Sequence, residues 1–251
     1  MLNILLSGVS GAMGANLQQI IKEADGCSIV AGYDHQEDSS LPFPVYTDLD
    51  KCREKIDVII DFSHFKAFSE IFGFASSHKI PIVIATTGLS EDDLEAIANG
   101  AQNFPIFKTA NMSLGINLLA KALKEMAGQL EETFDIEIIE KHHNKKIDAP
   151  SGTALLLADA VNEGLVKSKD YIYGRHGRDA KRMNNEIGIH AIRGGTIPGE
   201  HIVIFAGNDE IIELKHSALS KKVFAEGALK AARYIVTKNS GLYDMSMLIN
   251  D

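Results

Sequence analysis

The residues best suited to chemistry lie in one segment, residues 140–154, whose sequence is Glu-Lys-His-His-Asn-Lys-Lys-Ile-Asp-Ala-Pro-Ser-Gly-Thr-Ala. Residues 141–146 are all Lys or His except for one Asn, although the whole chain has a formal net charge of -9. A local excess of cations in an acidic protein is a candidate anion site. The adjacent His142 and His143 can gain or lose a proton near neutral pH. The segment therefore combines candidate proton donors with a candidate anion site.

The second half of this segment has the features of a helix start. Pro150 ends any helix or strand that precedes it, and Ser151 is a good N-cap. Gly152 and Thr153 come before a run of good helix formers. A helix N-terminus presents free backbone N–H groups and a partial positive charge, so it holds carboxylates or phosphates well. Taken singly, a Lys/His run is more often a solvated loop, and Ser-Gly-Thr is more often only a cap. Their combination favours a site for an anionic substrate.

Length and composition narrow the possible classes of protein. The chain has 251 residues, enough for one large or two modest domains, and its 45% hydrophobic and 24% charged content is typical of soluble globular proteins. No apolar run approaches the ~20 residues of a membrane span, and the N-terminus lacks signal-peptide features, so we expect a cytoplasmic protein without a membrane partner. The acidic balance argues against a nucleic-acid partner. Cys27 and Cys52 have no metal or redox spacing, and no metal site is expected.

The start of the chain has the pattern of a dinucleotide-binding unit. Leu2–Leu6 is predicted as a buried strand, an amphipathic helix follows through about Ala24, and a second strand, Ser28–Tyr33, ends at Asp34. Between the first strand and the helix lies a Gly-x-x-Gly-x-x-Gly turn, which allows the backbone to approach a pyrophosphate closely. Asp34, about 20 residues on, can accept hydrogen bonds from ribose hydroxyls. The residues predicted to contact the cofactor here are Gly8, Val9, Ser10, Gly11, Ala12, Met13, Gly14, Asp34 and His35.

The alternation of strands and helices continues to residue 113. Buried strands are predicted at 58–62, 82–85 and 105–107, with helices at 66–78 and, capped by Ser90, at 91–100. Ligands of a doubly wound sheet bind at the carboxyl ends of its strands. Polar and small residues follow these three strands at the same predicted edge, which favours further cofactor contacts. They are Phe62, Ser63, Ala85, Thr86, Thr87, Gly88, Thr109, Ala110, Asn111 and Met112.

From about residue 114 the pattern changes. Helices are predicted at 116–130 and 152–164, a strand at 134–140, and an irregular loop at 167–185. Three strands follow at 186–193, 201–206 and 210–217, and their short linkers imply antiparallel pairing. The last long helix, 223–236, is expected to return to the first domain. We therefore predict an α/β protein, with a doubly wound parallel sheet in a dinucleotide-binding domain (1–113 and 222–251) and a smaller α+β domain (114–221).

The central segment resembles a known family. The pattern His-His-x-x-Lys-x-Asp-Ala-Pro-Ser-Gly-Thr-Ala is similar to the central motif of the 4-hydroxy-tetrahydrodipicolinate reductase (dihydrodipicolinate reductase) family. Residues 193–201 and 240–245 resemble further segments of that family. The resemblance implies a Rossmann-type cofactor domain, a mixed-sheet substrate domain through which a homotetramer forms, and NADH or NADPH as cofactor. It also implies reduction of a cyclic dicarboxylate, 4-hydroxy-tetrahydrodipicolinate, in lysine and diaminopimelate biosynthesis.

The resemblance also implies roles for individual residues. His142 matches the family's proton donor, and Lys146 matches a second donor or a stabiliser of charge on the substrate ring. His143, Gly152 and Thr153 match the family's carboxylate contacts, and Lys146 and Ser151 are predicted to bind the substrate with them. This sequence departs from the family pattern on the cofactor side, with Ala12 in place of the usual Arg, and with 62–64 and 111–113 altered.

These departures bear on cofactor preference. A carboxylate at Asp34 accepts hydrogen bonds from both ribose hydroxyls of NADH and repels the 2′-phosphate of NADPH. The next residue, often Arg or Lys in the family, is His35, and a neutral His offers no full charge. We predict use of both cofactors with a preference for NADH, and a relative gain for NADPH as pH falls. Lys221 is a candidate cation for the 2′-phosphate.

Other functions fit the sequence less well. The Walker spacing and its Lys are absent, which argues against phosphoryl transfer. A semialdehyde-type dehydrogenase needs a Cys nucleophile in its active site, whereas Cys27 and Cys52 lie in the cofactor half. A nucleotide-sensing module that binds the cofactor without turnover is the remaining alternative, and an enzymatic assay separates it from a reductase.

Overall fold

The chain divides into two units in the computed structural model, which describes residues 1–251. Unit 1 comprises residues 1–114 and 221–251, and unit 2 comprises residues 115–220. Unit 1 is therefore built from two separate stretches of chain, and unit 2 from one.

A seven-stranded sheet, parallel throughout, is the centre of unit 1. In chain-order numbering its strands are β1 (Leu2–Ser7), β2 (Cys27–Tyr33), β3 (Val45–Tyr46), β4 (Val58–Asp61), β5 (Ile82–Ile84), β6 (Pro105–Lys108) and β12 (Gly241–Tyr243). They lie in the order β3-β2-β1-β4-β5-β6-β12. The chain thus adds β2 and β3 on one side of β1, and then adds β4, β5, β6 and β12 on the other side. Such sheets bind ligands at this reversal point. The predicted doubly wound parallel sheet is confirmed.

Helices cover both faces of this sheet. They are α1 (Ala12–Glu23), α2 (Phe68–His78), α3 (Glu91–Gly100), α6 (Lys222–Ile235) and α7 (Met245–Asn250), with 3-10 turns at Leu49–Lys51 and Phe65–Ala67. Successive residues of β1 point to opposite faces, so Ile4 and Leu6 join a core with α1 and α6, whereas Leu5 joins a core with α2 and α3. Burial on both faces explains why these strands are continuous apolar runs.

Unit 2 has a five-stranded mixed sheet packed against two helices. Its strands are β7 (Asp135–His142), β8 (Asp170–Tyr173), β9 (Glu186–Arg193), β10 (Glu200–Ala206) and β11 (Ile211–Ser217), and its helices are α4 (Leu114–Leu130) and α5 (Gly152–Gly164). The order is β11-β10-β7-β9-β8, with β7 parallel to β9 and antiparallel to β10. The central strand β7 alternates strictly, with Ile136 and Ile138 buried against the helices. The expected mixed sheet is confirmed.

Two expectations for unit 2 were wrong. The segment 167–185 is not wholly irregular, because Asp170–Tyr173 forms the edge strand β8, parallel to β9. Its Tyr-Ile-Tyr run is too short, and too closely flanked by polar residues, to stand out as a strand in the sequence. The strands β9 and β10 do not pair with each other, because β7 lies between them. The linker 194–199 crosses over the end of β7 instead of forming a hairpin, whereas β10 and β11 do pair antiparallel as predicted.

None of the helices combines the length and the apolar character that a membrane crossing needs.

Candidate active site

The end of β7 carries two titratable side chains on its buried face. Glu140 and His142 are two residues apart, so both point the same way as the core residues Ile136 and Ile138. The Glu140 side chain is fully buried, and His142 is 9% exposed. A buried carboxylate is unfavourable unless it is paired and hydrogen-bonded, so its partners decide what this site can do.

Each of the two carboxylate oxygens of Glu140 accepts two hydrogen bonds. Oε2 accepts from Nδ1 of His142 at 2.6 Å and from Nη1 of Arg193 at 2.7 Å. Oε1 accepts from Nη2 of Arg193 at 2.8 Å and from the backbone N–H of Ser151 at 3.0 Å. Burial alone would raise the pKa of Glu140, but these donors outweigh it and hold the pKa below its ordinary value. Glu140 is therefore an ionised acceptor at neutral pH.

Arg193 extends this network to the loop that follows β7. Its position opposite His142 in the β7–β9 ladder brings its guanidinium to Glu140. Nη2 also donates to the backbone carbonyl of Asp148 at 2.6 Å. The carboxylate of Asp148 in turn lies 2.8 Å from Nζ of Lys146. One buried carboxylate thus anchors both ends of the segment between His142 and Ser151.

Ser151 begins α5 as the sequence predicts. Its Oγ accepts from the backbone N–H of Ala154 at 3.2 Å, which is an N-cap bond. The same Oγ lies 3.1 Å from Nε2 of His201, which is 4% exposed. Burial and the neighbouring His142 lower the pKa of His201 to about 4, so it is neutral at pH 7. The rings of His142 and His201 meet edge to face, with centroids 5.2 Å apart.

The structure places all the predicted catalytic and substrate residues in this part of unit 2. His142 and Ser151 are buried beside Glu140, while Thr153 lies half-buried in the first turn of α5 and Gly152 is exposed. His143 and Lys146 are half-buried in the loop, and Nδ1 of His143 has no hydrogen-bond partner although it is buried. Cations, a histidine and a helix N-terminus thus occur together, and their roles stay predictions.

The glycine turn of unit 1 has the geometry that a pyrophosphate site needs. Gly8 has a φ of +76°, and a Cβ there would lie 2.7 Å from the carbonyl oxygen of Phe62. At Gly14 a Cβ would lie 2.3 Å from the carbonyl oxygen of Val9, so α1 packs directly on the turn. The N-cap of α1, Gly11, makes no side-chain cap bond. The first N–H groups of α1 are therefore not capped by a protein side chain, as a phosphate-binding helix start requires.

Asp34 lies at the carboxyl end of β2, beside this turn. Oδ2 accepts from the backbone N–H of Ser10 at 2.8 Å, and Oδ1 accepts from the backbone N–H of His35 at 2.8 Å. Nδ1 of His35 lies 2.5 Å from the same Oδ1. Burial opposes the ionisation of Asp34, but these hydrogen bonds hold its pKa below its ordinary value.

A groove of about 460 Å³ runs from the glycine turn past Asp34 to the end of β4. It lies at the point where the strand order reverses, between β1, β2 and β4. Seven of the predicted cofactor residues line it: Gly8, Ser10, Gly11, Asp34, His35, Phe62 and Ser63. Two residues that were not predicted for the site, His64 and the cation Lys66, line it as well.

The other predicted cofactor residues lie outside the lining of this groove. Thr86 is buried, and its Oγ1 donates to Oδ2 of Asp61 at 2.7 Å, which ties the end of β5 to the end of β4. Val9, Gly14, Asn111 and Met112 are buried, and Met13, Ala85 and Thr109 are half-buried. Ala12, Thr87, Gly88 and Ala110 are exposed. All follow β1, β5 or β6 at the carboxyl edge of the parallel sheet.

Several residues of the two sites were missed in the sequence. Glu140 and Arg193 were not selected because their ion pair joins residues 53 apart. The alternation of β7 was a usable signal, since it places Glu140 on the apolar face together with His142. His201 follows the same rule on β10, where it shares the buried face with Val203 and Phe205.

Family models match both parts of the chain. The model described as "Dihydrodipicolinate reductase, N-terminus" matches residues 2–112, and the model described as "Dihydrodipicolinate reductase, C-terminus" matches residues 115–249. The chain belongs to the dihydrodipicolinate reductase family.

Relatives within this family are similar over their whole length. A protein of Caldanaerobacter subterraneus named 4-hydroxy-tetrahydrodipicolinate reductase is 50% identical over 99% of this chain and 98% of its own. A protein of Clostridium tetani with the same name is 47% identical over 100% of this chain and 98% of its own. The solved structure of a dipicolinate-bound dihydrodipicolinate reductase from a Paenisporosarcina species has the same fold, with a TM-score of 0.80, 21% identity and 97% of each chain covered.

Proposed function

We propose that this chain catalyses the NAD(P)H-dependent reduction of 4-hydroxy-tetrahydrodipicolinate to tetrahydrodipicolinate, with loss of water. This reaction belongs to lysine and diaminopimelate biosynthesis. The observation that carries the proposal is the buried pair Glu140–His142 beside the N-terminus of α5, in a member of the dihydrodipicolinate reductase family. A proton donor next to an anion-binding helix start is the equipment that reduction of an unsaturated dicarboxylate requires.

His142 supplies the proton in this proposal. Loss of the 4-hydroxyl group as water leaves an unsaturated ring conjugated to an imine, and the nicotinamide supplies a hydride to ring C4. The displaced electron pair moves toward C3 and the ring nitrogen, so a proton must be delivered to C3. Nδ1 of His142 donates to Glu140, which leaves Nε2 as the atom that gives up the proton. Lys146 stabilises the negative charge that develops on the ring.

The start of α5 and the preceding loop hold the substrate carboxylates. The backbone N–H groups of Gly152 and Thr153 belong to the first turn of α5, where a carboxylate is stabilised by free donors and by the helix dipole. His143 and Lys146 add cationic or donor groups from the loop. The hydroxyl of Ser151 is already bonded to the backbone N–H of Ala154 and to His201. Its role is therefore to fix the start of α5, and it does not offer a free hydroxyl to the substrate.

Unit 1 holds the nicotinamide cofactor. The glycine turn and the uncapped start of α1 suit its pyrophosphate, and the 460 Å³ groove beside Asp34 suits the adenosine ribose. We propose that both NADH and NADPH are used, with a preference for NADH, because Asp34 is held ionised by Ser10 and His35. Lys66 lines the same groove, whereas Lys221 does not, so Lys66 is the better candidate for contact with a 2′-phosphate.

We further propose that unit 2 assembles the chain into a homotetramer. One face of its sheet packs on α4 and α5, but the residues that face the other way, among them Ile139, Ile202 and Ile204, are only half-buried. A β-branched, partly apolar sheet face without a covering layer is typical of an interface. Light scattering during gel filtration tests this. A purified chain that runs as a monomer at micromolar concentration contradicts the proposal.

The reaction itself is tested by following NADH and NADPH absorbance. The substrate is the condensation product of pyruvate and aspartate semialdehyde, generated in the cuvette. Oxidation of the cofactor that depends on this product supports a reductase. Cofactor binding, measured by calorimetry, without any turnover supports the nucleotide-sensing alternative and overturns the proposal.

A further inference from the structure

We propose that Glu140 is a positioning residue, which holds the His142 ring in the tautomer and the orientation that proton delivery from Nε2 requires. The inference rests on the proposed function, because it takes His142 as the proton donor. Glu140 itself is fully buried and acts only through His142.

The first observation is the set of four donors around Glu140. Because its two oxygens accept from Arg193 twice, from Ser151 and from His142, the carboxylate cannot rotate without breaking several bonds. An ionised carboxylate can only accept, so Nδ1 of His142 must carry a proton. After His142 has given up the proton on Nε2, the ring remains as the Nδ1–H tautomer, still bonded to Glu140.

The second observation lies on the other side of the imidazole ring. A Cβ at position 199 would lie 3.2 Å from Nε2 of His142, and the residue there is Gly199. Apart from Gly199 and its two chain neighbours, no residue other than His142 has an atom within 4 Å of that point. The ring is fixed on its Nδ1 side by a carboxylate, and the missing side chain of Gly199 leaves room beside Nε2. This is the arrangement expected of a histidine that exchanges protons through Nε2.

Arg193 gives the arrangement its rigidity. Its guanidinium binds Glu140 with two nitrogens and binds the carbonyl of Asp148 as well. Bidentate pairing of Arg with a carboxylate fixes the plane of both groups. Burial without Arg193 would favour a protonated Glu140, and a protonated carboxyl could donate to Nδ1 and reverse the tautomer of His142. The pair Arg193–Glu140 thus keeps the acceptor ionised.

Glu140→Gln is the informative substitution. The glutamine amide can take two orientations. If its oxygen points toward His142, its NH₂ group faces the N–H groups of Ser151 and Arg193, so that donors meet donors. If its NH₂ group points toward His142, Nδ1 must be unprotonated, and the neutral ring then carries its proton on Nε2. We expect kcat to fall by roughly 100-fold, the lower range for losing a general acid. We expect KM for the substrate and for the cofactor to stay within about threefold, because Glu140 is fully buried and is proposed to act only through His142.

A matched control lies on the same strand. Glu137, on the opposite face of β7, also accepts from a histidine and from two arginines: His190 at 2.7 Å, Arg175 at 2.9 Å and Arg182 at 3.1 Å. Glu137→Gln therefore removes a similar charge network outside the proposed site. If the kcat values of the two variants lie within threefold of each other, Glu140 has only a structural role and the proposal is overturned.

Glu140→Asp covers the case in which the Gln variant does not fold. Aspartate keeps the charge that Arg193 needs, but it withdraws the carboxylate from Nδ1 by one methylene. We expect a folded protein with kcat lowered roughly tenfold. A folded Asp variant with the wild-type kcat overturns the proposal.

The tautomer can be read without turnover. In ¹⁵N-labelled protein, the ring-nitrogen resonances that disappear in His142→Gln belong to His142. We expect them to show a protonated Nδ1 in the wild type at a pH where the ring is neutral, and a protonated Nε2 would overturn the proposal. Two variants separate the proton donor from its positioning residue. An active His142→Gln variant would show that His142 is not the proton donor. An inactive His142→Gln variant together with a fully active Glu140→Gln variant would remove only the role of Glu140.

Discussion

Nε2 of His201 lies 3.1 Å from Oγ of Ser151, so a buried, neutral histidine is coupled to the residue that caps α5. Since Oγ already accepts from the backbone N–H of Ala154, it is free to donate to an unprotonated Nε2. The helix start that is proposed to bind carboxylates thus depends on His201 staying uncharged. Substitutions of His201 and of Ser151 test the two sides of this contact.

His201 should make the protein less stable in mild acid. Its pKa is about 4 in the folded chain, against 6.5 ordinarily, because burial disfavours the charged ring. The unfolded chain therefore binds the proton first, so this contribution is complete above pH 6.5 and is lost as pH falls toward 4. Its full size is about 3 kcal/mol. Urea unfolding at a series of pH values should show a flatter profile for His201→Asn, while substitution of the exposed His176 by Asn leaves the profile as in the wild type. If the stability of His201→Asn and that of the wild type change in parallel with pH, the lowered pKa of His201 is contradicted.

Ser151→Ala should cost both stability and substrate affinity. Loss of an N-cap typically costs about 1 kcal/mol, and an unpaired Nε2 of His201 adds to it. The control is Ser90→Ala, which removes the N-cap of α3 in unit 1 and should cost a similar amount. Only Ser151→Ala should raise KM for the substrate, because only α5 is proposed to bind it. Equal KM values in the two variants would place the carboxylate site elsewhere.

His142→Gln should abolish most of the turnover. Glutamine keeps the approximate size and a hydrogen bond toward Glu140, but it cannot release a proton near neutral pH, so kcat should fall by roughly 10²–10⁴-fold. His190→Gln is the matched control, because His190 also bonds to a glutamate of β7 but on the outer face of the sheet. A His142→Gln variant within a few-fold of the wild type would show that another group protonates the substrate.

Lys146→Ala and Thr153→Val should each weaken substrate binding. Lys146→Ala removes the loop cation, and Thr153→Val removes the side-chain hydroxyl beside the backbone N–H groups that are proposed to bind a carboxylate. Loss of a hydrogen bond to a charged partner raises KM by roughly tenfold or more. The neighbouring Lys145 is exposed, so Lys145→Ala serves as the control for loss of a nearby positive charge. Titration with NADH should give the same Kd in all three variants. A KM for Lys146→Ala that matches that of Lys145→Ala would remove Lys146 from the site.

Cofactor preference should depend on Lys66. The wild type should use NADH somewhat better than NADPH at neutral pH, because the ionised carboxylate of Asp34 repels a 2′-phosphate. Lys66→Ala should lower kcat/KM with NADPH by roughly fivefold, as expected for a partly exposed charge pair, and change that with NADH little. Lys51→Ala, on a 3-10 turn outside the groove, is the control. A strong NADPH preference at neutral pH would contradict the interpretation of Asp34 and His35.

Local signals in the sequence were sufficient for most elements. The helices starting at Ser90 and Ser151 have the predicted bounds, because caps and hydrophobic periodicity act within a few residues. The strand Glu186–Arg193 is likewise as predicted. The order of strands in unit 2 was not predictable in this way, since a linker of six residues, 194–199, can either form a hairpin or cross a strand end. Pairing of β7 with both β9 and β10 is settled by packing over the whole unit.

The site was predictable in its parts and not in its connections. The motif brings His142, Lys146 and Ser151 within ten residues of chain, so the sequence alone places them near one another. The groups that organise them come from other strands, Arg193 from β9 and His201 from β10. Lys66 reaches the Asp34 groove only because β4 lies next to β1 in the sheet. Such long-range neighbours follow from topology, which the sequence pattern does not specify.

The interrupted path of unit 1 has a consequence for synthesis on the ribosome. Unit 2 is one continuous stretch, so all its strands have been made once residue 217 has emerged. Unit 1 begins first but lacks α6 and β12 until the end of translation, and α6 supplies Ala225, Ala228 and Ile235 to the core beneath its sheet. We expect unit 2 to fold on the ribosome before unit 1, although the chain of unit 1 begins first. Until its last residues are released, we expect the growing polypeptide to expose an apolar sheet face, the kind of surface that makes an incomplete chain prone to aggregation.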